Sequence, residues 1–149
     1  MRLNVLLVSI VGLLAADAPI SENAKQDLKQ LEGTWNLVSA QRDGKATPAD
    51  EVKKTRISFR GNQFEFPDAA DIGTSQKGTL QLDPSKKPKW MDSTATTDAG
   101  KGSVSLGLYE ISGDDYKVCF APPGKPRPQE FVSKPGSGAI LQIWKRAKK

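Results

Sequence analysis

A succession of short strand-like runs, separated by turn residues, occupies almost the whole chain after residue 33. Most runs alternate apolar or β-branched residues with polar ones, which is typical of strands that bury one face. The pattern therefore predicts an all-β domain of eight or nine strands. The runs fall at 34–41, 54–60, 63–67, 76–83, 89–96, 103–111, 116–121, 127–133 and 138–146.

One helix is predicted ahead of the strands, at residues 21–32. Ser21 can cap its N-terminus and Gly33 can end it. The helix is short, so it needs an apolar surface to lie on. Its apolar stripe at helical spacing consists of Ala24, Leu28 and Leu31.

The two-residue turn Gly61-Asn62 predicts the register of a first hairpin, because turns of this kind match the twist of paired strands. One face of this hairpin is then apolar and the other polar, so the apolar face belongs to the core. Counting outward from the turn gives the pairs Arg60–Gln63, Phe59–Phe64, Ser58–Glu65 and Ile57–Phe66.

A second hairpin turns through residues 112–115. Both a two-residue and a four-residue loop give the pairs Ile111–Tyr116, Glu110–Lys117, Tyr109–Val118 and Gly107–Phe120. The opposite face carries Leu106, Leu108, Cys119 and Ala121. Because both faces are apolar, we expect the sheet to be covered on its outer side, and helix 21–32 is our predicted cover.

A meandering sheet of this length has two exposed edges unless it closes on itself. We therefore predict an up-and-down antiparallel barrel of about eight strands with a short N-terminal helix. Such a barrel is filled by side chains or holds one small ligand. The sequence does not decide between a filled interior and one that holds a ligand, because the side chains expected to point inward are bulky. They are Phe59, Phe64, Phe66, Tyr109, Tyr116 and Phe120.

Residues 1–18 have the pattern of a signal peptide. Arg2 precedes an apolar run over residues 3–14, and small residues follow. The run is too short for a hydrocarbon core of roughly 30 Å, which needs about 20 helical residues. We expect export to the periplasm or the cell exterior, a single mature domain over 19–149, and no membrane insertion after cleavage. A retained anchor is the alternative.

The formal net charge of +5 does not predict a nucleic-acid partner, because the basic residues are scattered or terminal and form no basic helix. Cys119 is the only cysteine, which excludes an intramolecular disulfide. We expect its thiol to behave as a small buried hydrophobe.

The absence of histidine excludes Ser/His and Cys/His nucleophile systems and histidine-bound zinc. Acidic residues that could pair or bind calcium lack the spacing of a calcium loop. We therefore expect no enzymatic activity, no metal and no cofactor. The acidic residues concerned are Asp83, Asp92, Asp98, Asp114 and Asp115.

Gly33, Trp35 and Arg146 resemble the signature of the lipocalin and calycin group. In that group a Gly-x-Trp opens the first strand, and a basic residue of the last strand packs across the tryptophan. The resemblance implies a cation on the indole face at one end of the barrel.

Nearly the whole mature chain resembles a family of small exported proteins from planctomycete bacteria that have lipocalin-like character. The resemblance implies a fold and export but no established reaction or ligand. The matching phrases are residues 31–35, 42–45, 82–88 with Asp92, 107–110, 119–121, 127–128 with Phe131, and 145–146.

Four polar or reactive residues within these phrases are our candidates for ligand binding: Asp92, Tyr109, Cys119 and Arg127. Arg127 lies between two prolines, so its backbone is stiff and its guanidinium could hold a ligand carboxylate. A structural ion pair of Arg127 with Asp92 or Glu130 is the alternative.

The sequence favours an exported protein that binds a small, partly apolar molecule. The alternative is a cell-envelope module for protein interaction, with a filled barrel and a docking loop at residues 122–126. A continuous apolar cavity would favour the first interpretation, and a filled interior with an exposed apolar patch would favour the second.

Overall fold

The computed structural model describes residues 19–67, 76–97 and 100–149. The predicted signal peptide and Asp98 lie outside the described residues. The described elements are α1 (Glu22–Leu31), β1 (Gly33–Arg42), β2 (Lys45–Ala46), α2 (Ala49–Lys54), β3 (Arg56–Arg60), β4 (Gln63–Glu65), β5 (Lys77–Asp83), β6 (Lys89–Ala95), β7 (Val104–Ser112), β8 (Asp115–Phe120) and β9 (Ile140–Arg146).

The strands form one antiparallel sheet that closes into a barrel. Its order is β2-β1-β3-β4-β5-β6-β7-β8-β9, and β9 also pairs with β1. The two-residue β2 pairs with the end of β1, so eight strands make the closed barrel. The predicted all-β barrel with a short helix is therefore confirmed.

Both predicted hairpins are present. The first turns at Gly61-Asn62 and has the predicted pairs from Arg60–Gln63 to Ser58–Glu65. It stops one pair early, because β4 ends at Glu65. The second turns through Gly113-Asp114 in its shorter form and has every predicted pair.

One end of the barrel is packed solid. Trp35, Met91, Tyr109 and Trp144 point inward there and are completely or almost completely buried. Helix α1 lies across this end, and its apolar stripe joins the same core. The indole Nε1 of Trp35 donates to the carbonyl of Leu31 at 2.7 Å, which ties the helix to the first strand.

Helix α1 is thus an end cap, and our prediction that it covers the outer side of the sheet is wrong. Its stripe is buried with the inward side chains of the barrel, whereas Leu108 and Cys119 lie on the outer face and are buried apart from that core. The helix is only ten residues long and joins β1 through a single residue, so it stays at the end where β1 begins.

The outer face of β6 to β9 is instead covered by residues 121–139. Our prediction of a strand at 127–133 is wrong, since this segment has no strand pairing. Five prolines within 121–139 remove backbone donors that a strand ladder needs. We call residues 121–139 the cover segment.

The contact expected between Arg146 and Trp35 is present at the capped end. The Arg146 guanidinium carbon lies 4.3 Å from the centre of the Trp35 ring. Arg146 also donates to the carbonyls of Glu32 and Gln30 and to the carboxylate of Asp114. One side chain therefore holds the helix end, the first strand and the β7–β8 turn together.

Candidate functional site

A cavity of about 210 Å³ occupies the barrel interior at the end away from helix α1. Its walls are the inward side chains near the last residues of β4, β6 and β8 and the first residues of β5, β7 and β9. Phe59, Phe64 and Phe66 line one side, and Phe120 lies near the mouth. Pro122 and Pro123, which begin the cover segment, form part of the rim.

Two inward glycines make room for the rings that border this cavity. A Cβ on Gly78 would lie 2.4 Å from the Phe64 ring, and a Cβ on Gly107 would lie 2.5 Å from the Phe120 ring. Both glycines sit directly opposite these phenylalanines in the sheet. Each ring therefore lies against strand backbone instead of filling the middle of the barrel.

Three polar side chains border the cavity on β6, β7 and β9. Ser93 of β6 and Ser105 of β7 are paired in the sheet, and both face inward. Gln142 of β9 borders the same space and is only 4% exposed. Among the described residues, no hydrogen bond is made by the side chains of these three residues.

Tyr116 separates the cavity from the packed end. Its ring stacks edge-on against Phe59 on one side and Trp35 on the other. Its hydroxyl donates to the sulfur of Met91 at 3.4 Å. Complete burial raises the pKa of Tyr116 well above the ordinary tyrosine value, so this wall of the cavity is uncharged.

Asp92 and Arg127, two of the predicted site residues, are brought together, but on the outer side of the barrel. Arg127 Nη1 lies 2.7 Å from Asp92 Oδ1 and donates to the carbonyl of Gly107, also at 2.7 Å. The guanidinium lies 4.3 Å from the centre of the Trp90 ring. The pair is thus the structural ion pair given as the alternative, and it attaches the cover segment to the sheet.

Tyr109, another predicted site residue, lies in the packed end. Its hydroxyl donates to Asp27 of helix α1 at 2.7 Å, and Lys89 donates to the same carboxylate oxygen at 2.8 Å. Burial, with the hydrogen bond to Asp27, raises the pKa of Tyr109 above its ordinary value. Tyr109 therefore fixes the helix and does not border the cavity.

Cys119 is completely buried beneath the cover segment, and its sulfur donates to the carbonyl of Val132. Burial raises the pKa of its thiol. None of the four predicted ligand-binding residues borders the cavity, so their proposed binding role stays a prediction without support from the cavity geometry.

Sequence reasoning missed Ser93, Ser105 and Gln142. The signal for Gln142 was present, because it stands between Ile140 and Trp144 on the inward side of β9. A polar residue inside an apolar alternation points to a site or to a satisfied core group. Ser105 could be found in the same way, by extending the predicted register of the second hairpin back from Gly107.

Within the described residues, no group of three or more cysteine or carboxylate side chains could hold a metal ion. The same part of the chain contains no helix of the length and apolarity that crossing a membrane requires.

The fold and its cavity define an eight-stranded antiparallel barrel, closed by a helix at one end and hollow at the other. Comparisons with models of protein families, with curated proteins and with solved structures find no match. The resemblance to lipocalins and to planctomycete exported proteins therefore remains a prediction from the sequence.

Proposed function

We propose that this chain is an exported binding protein that holds one small, partly apolar molecule in the hollow end of its barrel. The observation that carries the proposal is the cavity of about 210 Å³ with phenylalanines on one wall. Concave apolar sites with a few polar groups are the usual form of small-molecule sites. The proposal is one of binding, without a reaction.

The size of the cavity suits a small ligand. At about 210 Å³ it is smaller than the roughly 300–1,000 Å³ of sites for drug-sized ligands. Transfer of apolar ligand surface from water to the phenylalanine wall supplies the driving force. The rim lies at the end of the barrel that helix α1 leaves uncovered.

The alternative, a protein-interaction module with a filled barrel, has less support. Its docking loop was predicted at residues 122–126, but Pro122 and Pro123 contribute to the cavity wall. Trp90, an exposed aromatic residue, is engaged by Lys86 and Arg127. The other large apolar side chains that are exposed among the described residues are Ile20, Val38, Val104 and Val132, which lie before α1, on β1, on β7 and in the cover segment, so no two of them share an element.

Native mass spectrometry of protein purified from its exporting host without detergent tests the proposal. We expect an adduct of small-molecule mass that organic extraction removes. Ser105→Phe, which puts a ring into the cavity, should abolish the adduct. Val104→Phe is the matched control, because Val104 is the neighbouring residue on the outer face and is 41% exposed.

A protein without an adduct, which also stays bare when offered a mixture of small apolar molecules, would overturn the proposal. An adduct of unchanged abundance in Ser105→Phe would place the ligand elsewhere. Thermal melts of both variants establish that each one folds, so that a lost adduct reports on the cavity.

A further inference from the structure

The cavity places two serine hydroxyls across from two of its phenylalanine rings. Phe59 and Phe64 lie on β3 and β4, while Ser93 and Ser105 lie on β6 and β7. In the strand order of the closed barrel, β7 is four strands from β3 in either direction. A molecule in the cavity therefore meets rings on one side and hydroxyls on the other.

No charged side chain lines the cavity among the residues that the structure describes. An ionised ligand would leave water without a counter-ion, which is unfavourable in an apolar enclosure. The neutral state of Tyr116 at ordinary pH adds no charge to the wall. The described part of the lining therefore favours an uncharged ligand over carboxylates, phosphates and ammonium groups.

Gln142 gives the site a specific hydrogen-bonding group. Its side chain is almost wholly buried, borders the cavity and has no partner in the described part of the chain. The amide is not among the wholly buried polar atoms without a partner, so it is accessible from the cavity, where a ligand group can replace water as its hydrogen-bonding partner. Gln142 can both donate and accept, so a hydroxyl or an amide on the ligand suits it.

Aromatic rings make up much of the lining, on the β3, β4 and β8 sides of the cavity. Phe59, Phe64, Phe66, Tyr116 and Phe120 all line the cavity. Aromatic side chains favour edge-on or offset contacts with other rings, as the Phe64–Phe66 and Phe59–Tyr116 pairs already show. A flat aromatic ligand makes such contacts with several of them together.

We infer that the ligand is an uncharged aromatic molecule of one or two fused rings, with a hydroxyl or amide group bound by Gln142. The inference rests on the proposed function of the cavity and specifies the class of molecule that it takes. The serine hydroxyls of β6 and β7 provide further polar contacts on the other side of β8.

Three probes of the same ring system test this ligand class: naphthalene, 2-naphthol and 2-naphthoate, each titrated calorimetrically into the purified protein at neutral pH. We expect 2-naphthol to bind about three- to tenfold more tightly than naphthalene, which is the usual range for one added hydrogen bond. We expect 2-naphthoate to bind at least about tenfold more weakly than 2-naphthol, because its charge is desolvated without a partner.

Gln142→Met tests the hydrogen bond between Gln142 and the ligand hydroxyl, since methionine keeps an unbranched side chain but lacks the amide. It should reduce the affinity for 2-naphthol to the level of naphthalene and leave naphthalene binding unchanged. Gln81→Met is the matched control: Gln81 lies on the exposed outer side of β5, and its replacement should change none of the three affinities.

If 2-naphthoate binds as tightly as 2-naphthol, the inferred ligand class is wrong, but the proposed binding of a molecule in the cavity is not affected. Equal losses for 2-naphthol and naphthalene in Gln142→Met would show that the residue acts through packing and would overturn its assigned contact. If no probe binds but the purified protein carries a removable adduct, the ligand class fails alone. If no probe binds and no adduct exists, the proposed function fails with it.

Discussion

At the scale of single residues, Arg146 shows how the end cap is held without a disulfide. The last carbonyls of a helix have no partner within the helix and need donors from elsewhere. Arg146 supplies two of them, to Gln30 and Glu32, while its flat face lies on Trp35. A planar fork of donors can do both together, which an ammonium group cannot.

We predict that Arg146→Lys lowers the free energy of unfolding by about 1–2 kcal/mol, because the lysine keeps the charge but loses the forked donors. Equilibrium unfolding in urea measures the change. Lys145→Ala is the control, since the side chain of Lys145 forms an exposed ion pair with Asp115 at 3.8 Å. It should cost less than about 0.5 kcal/mol. Equal values for the two variants would contradict the role of Arg146.

At the scale of elements, a partly buried ion pair between Arg127 and Asp92 attaches the cover segment to the sheet. Near its other end, Ser133 donates to Ala139 and accepts from the backbone of Gly44. Cys119 lies under the segment between these attachments and touches Val132. The reactivity of this thiol therefore reports on opening of the segment.

We predict that Arg127→Met increases the rate of Cys119 labelling by a thiol reagent under native conditions. Without Arg127, Asp92 has a buried carboxylate oxygen without a counter-charge, and the segment opens more often. The raised pKa of the buried thiol suppresses labelling in the closed form, so opening gives a large signal.

Lys134→Met is the control for this labelling experiment, because Lys134 pairs with Glu130 on the exposed surface of the same segment. It should label at the rate of the unaltered protein. If Arg127→Met also labels at that rate, the ion pair does not hold the segment closed.

The hairpins could be predicted from the sequence because two-residue turns leave only one register that buries Phe59 with Phe64 and Tyr109 with Val118. The packing of Arg146 on Trp35 could likewise be predicted, from the resemblance of these residues to the lipocalin and calycin signature. The cover segment could not be predicted in the same way, since Phe131 and Val132 favour a strand at 127–133 whereas Pro126 and Pro128 oppose one. Burial of an apolar segment does not require that it be a strand.

The position of helix α1 and the cavity needed the structure. An apolar stripe shows that a helix packs on something but does not identify the surface. A list of inward residues gives their bulk but not where each ring lies. Only the structure shows that Phe64 and Phe120 lie against Gly78 and Gly107, which leaves a cavity between Ser105 and Phe59.

At the scale of the whole molecule, both tyrosines of the chain are buried, and burial raises both pKa values. The folded protein therefore keeps protons that the unfolded chain releases above the ordinary tyrosine pKa of 10.0. We predict that the free energy of unfolding falls as the pH rises above this value, by about 1.4 kcal/mol per pH unit for each tyrosine. Below it, the two residues make no contribution that depends on pH.

Urea unfolding at a series of alkaline pH values measures this dependence, and tyrosinate absorbance should rise only as the protein unfolds. Tyr116→Phe should remove half of the tyrosine-dependent slope, since it loses only one hydrogen bond, to Met91. Tyrosinate absorbance in a protein that remains folded would show that a hydroxyl is accessible to water and would contradict the prediction.

The division of the barrel into a packed end and a hollow end also bears on how this chain can change over generations. Substitutions among the side chains that border the hollow end alter which molecules fit, while the contacts of the helix with Trp35, Tyr109 and Arg146 are left intact. Mutations that give new binding preferences are thus separated in space from those that unfold the protein. A laboratory selection restricted to positions 93, 105 and 142 could therefore yield variants that bind new ligands while the packed end of the barrel stays unchanged.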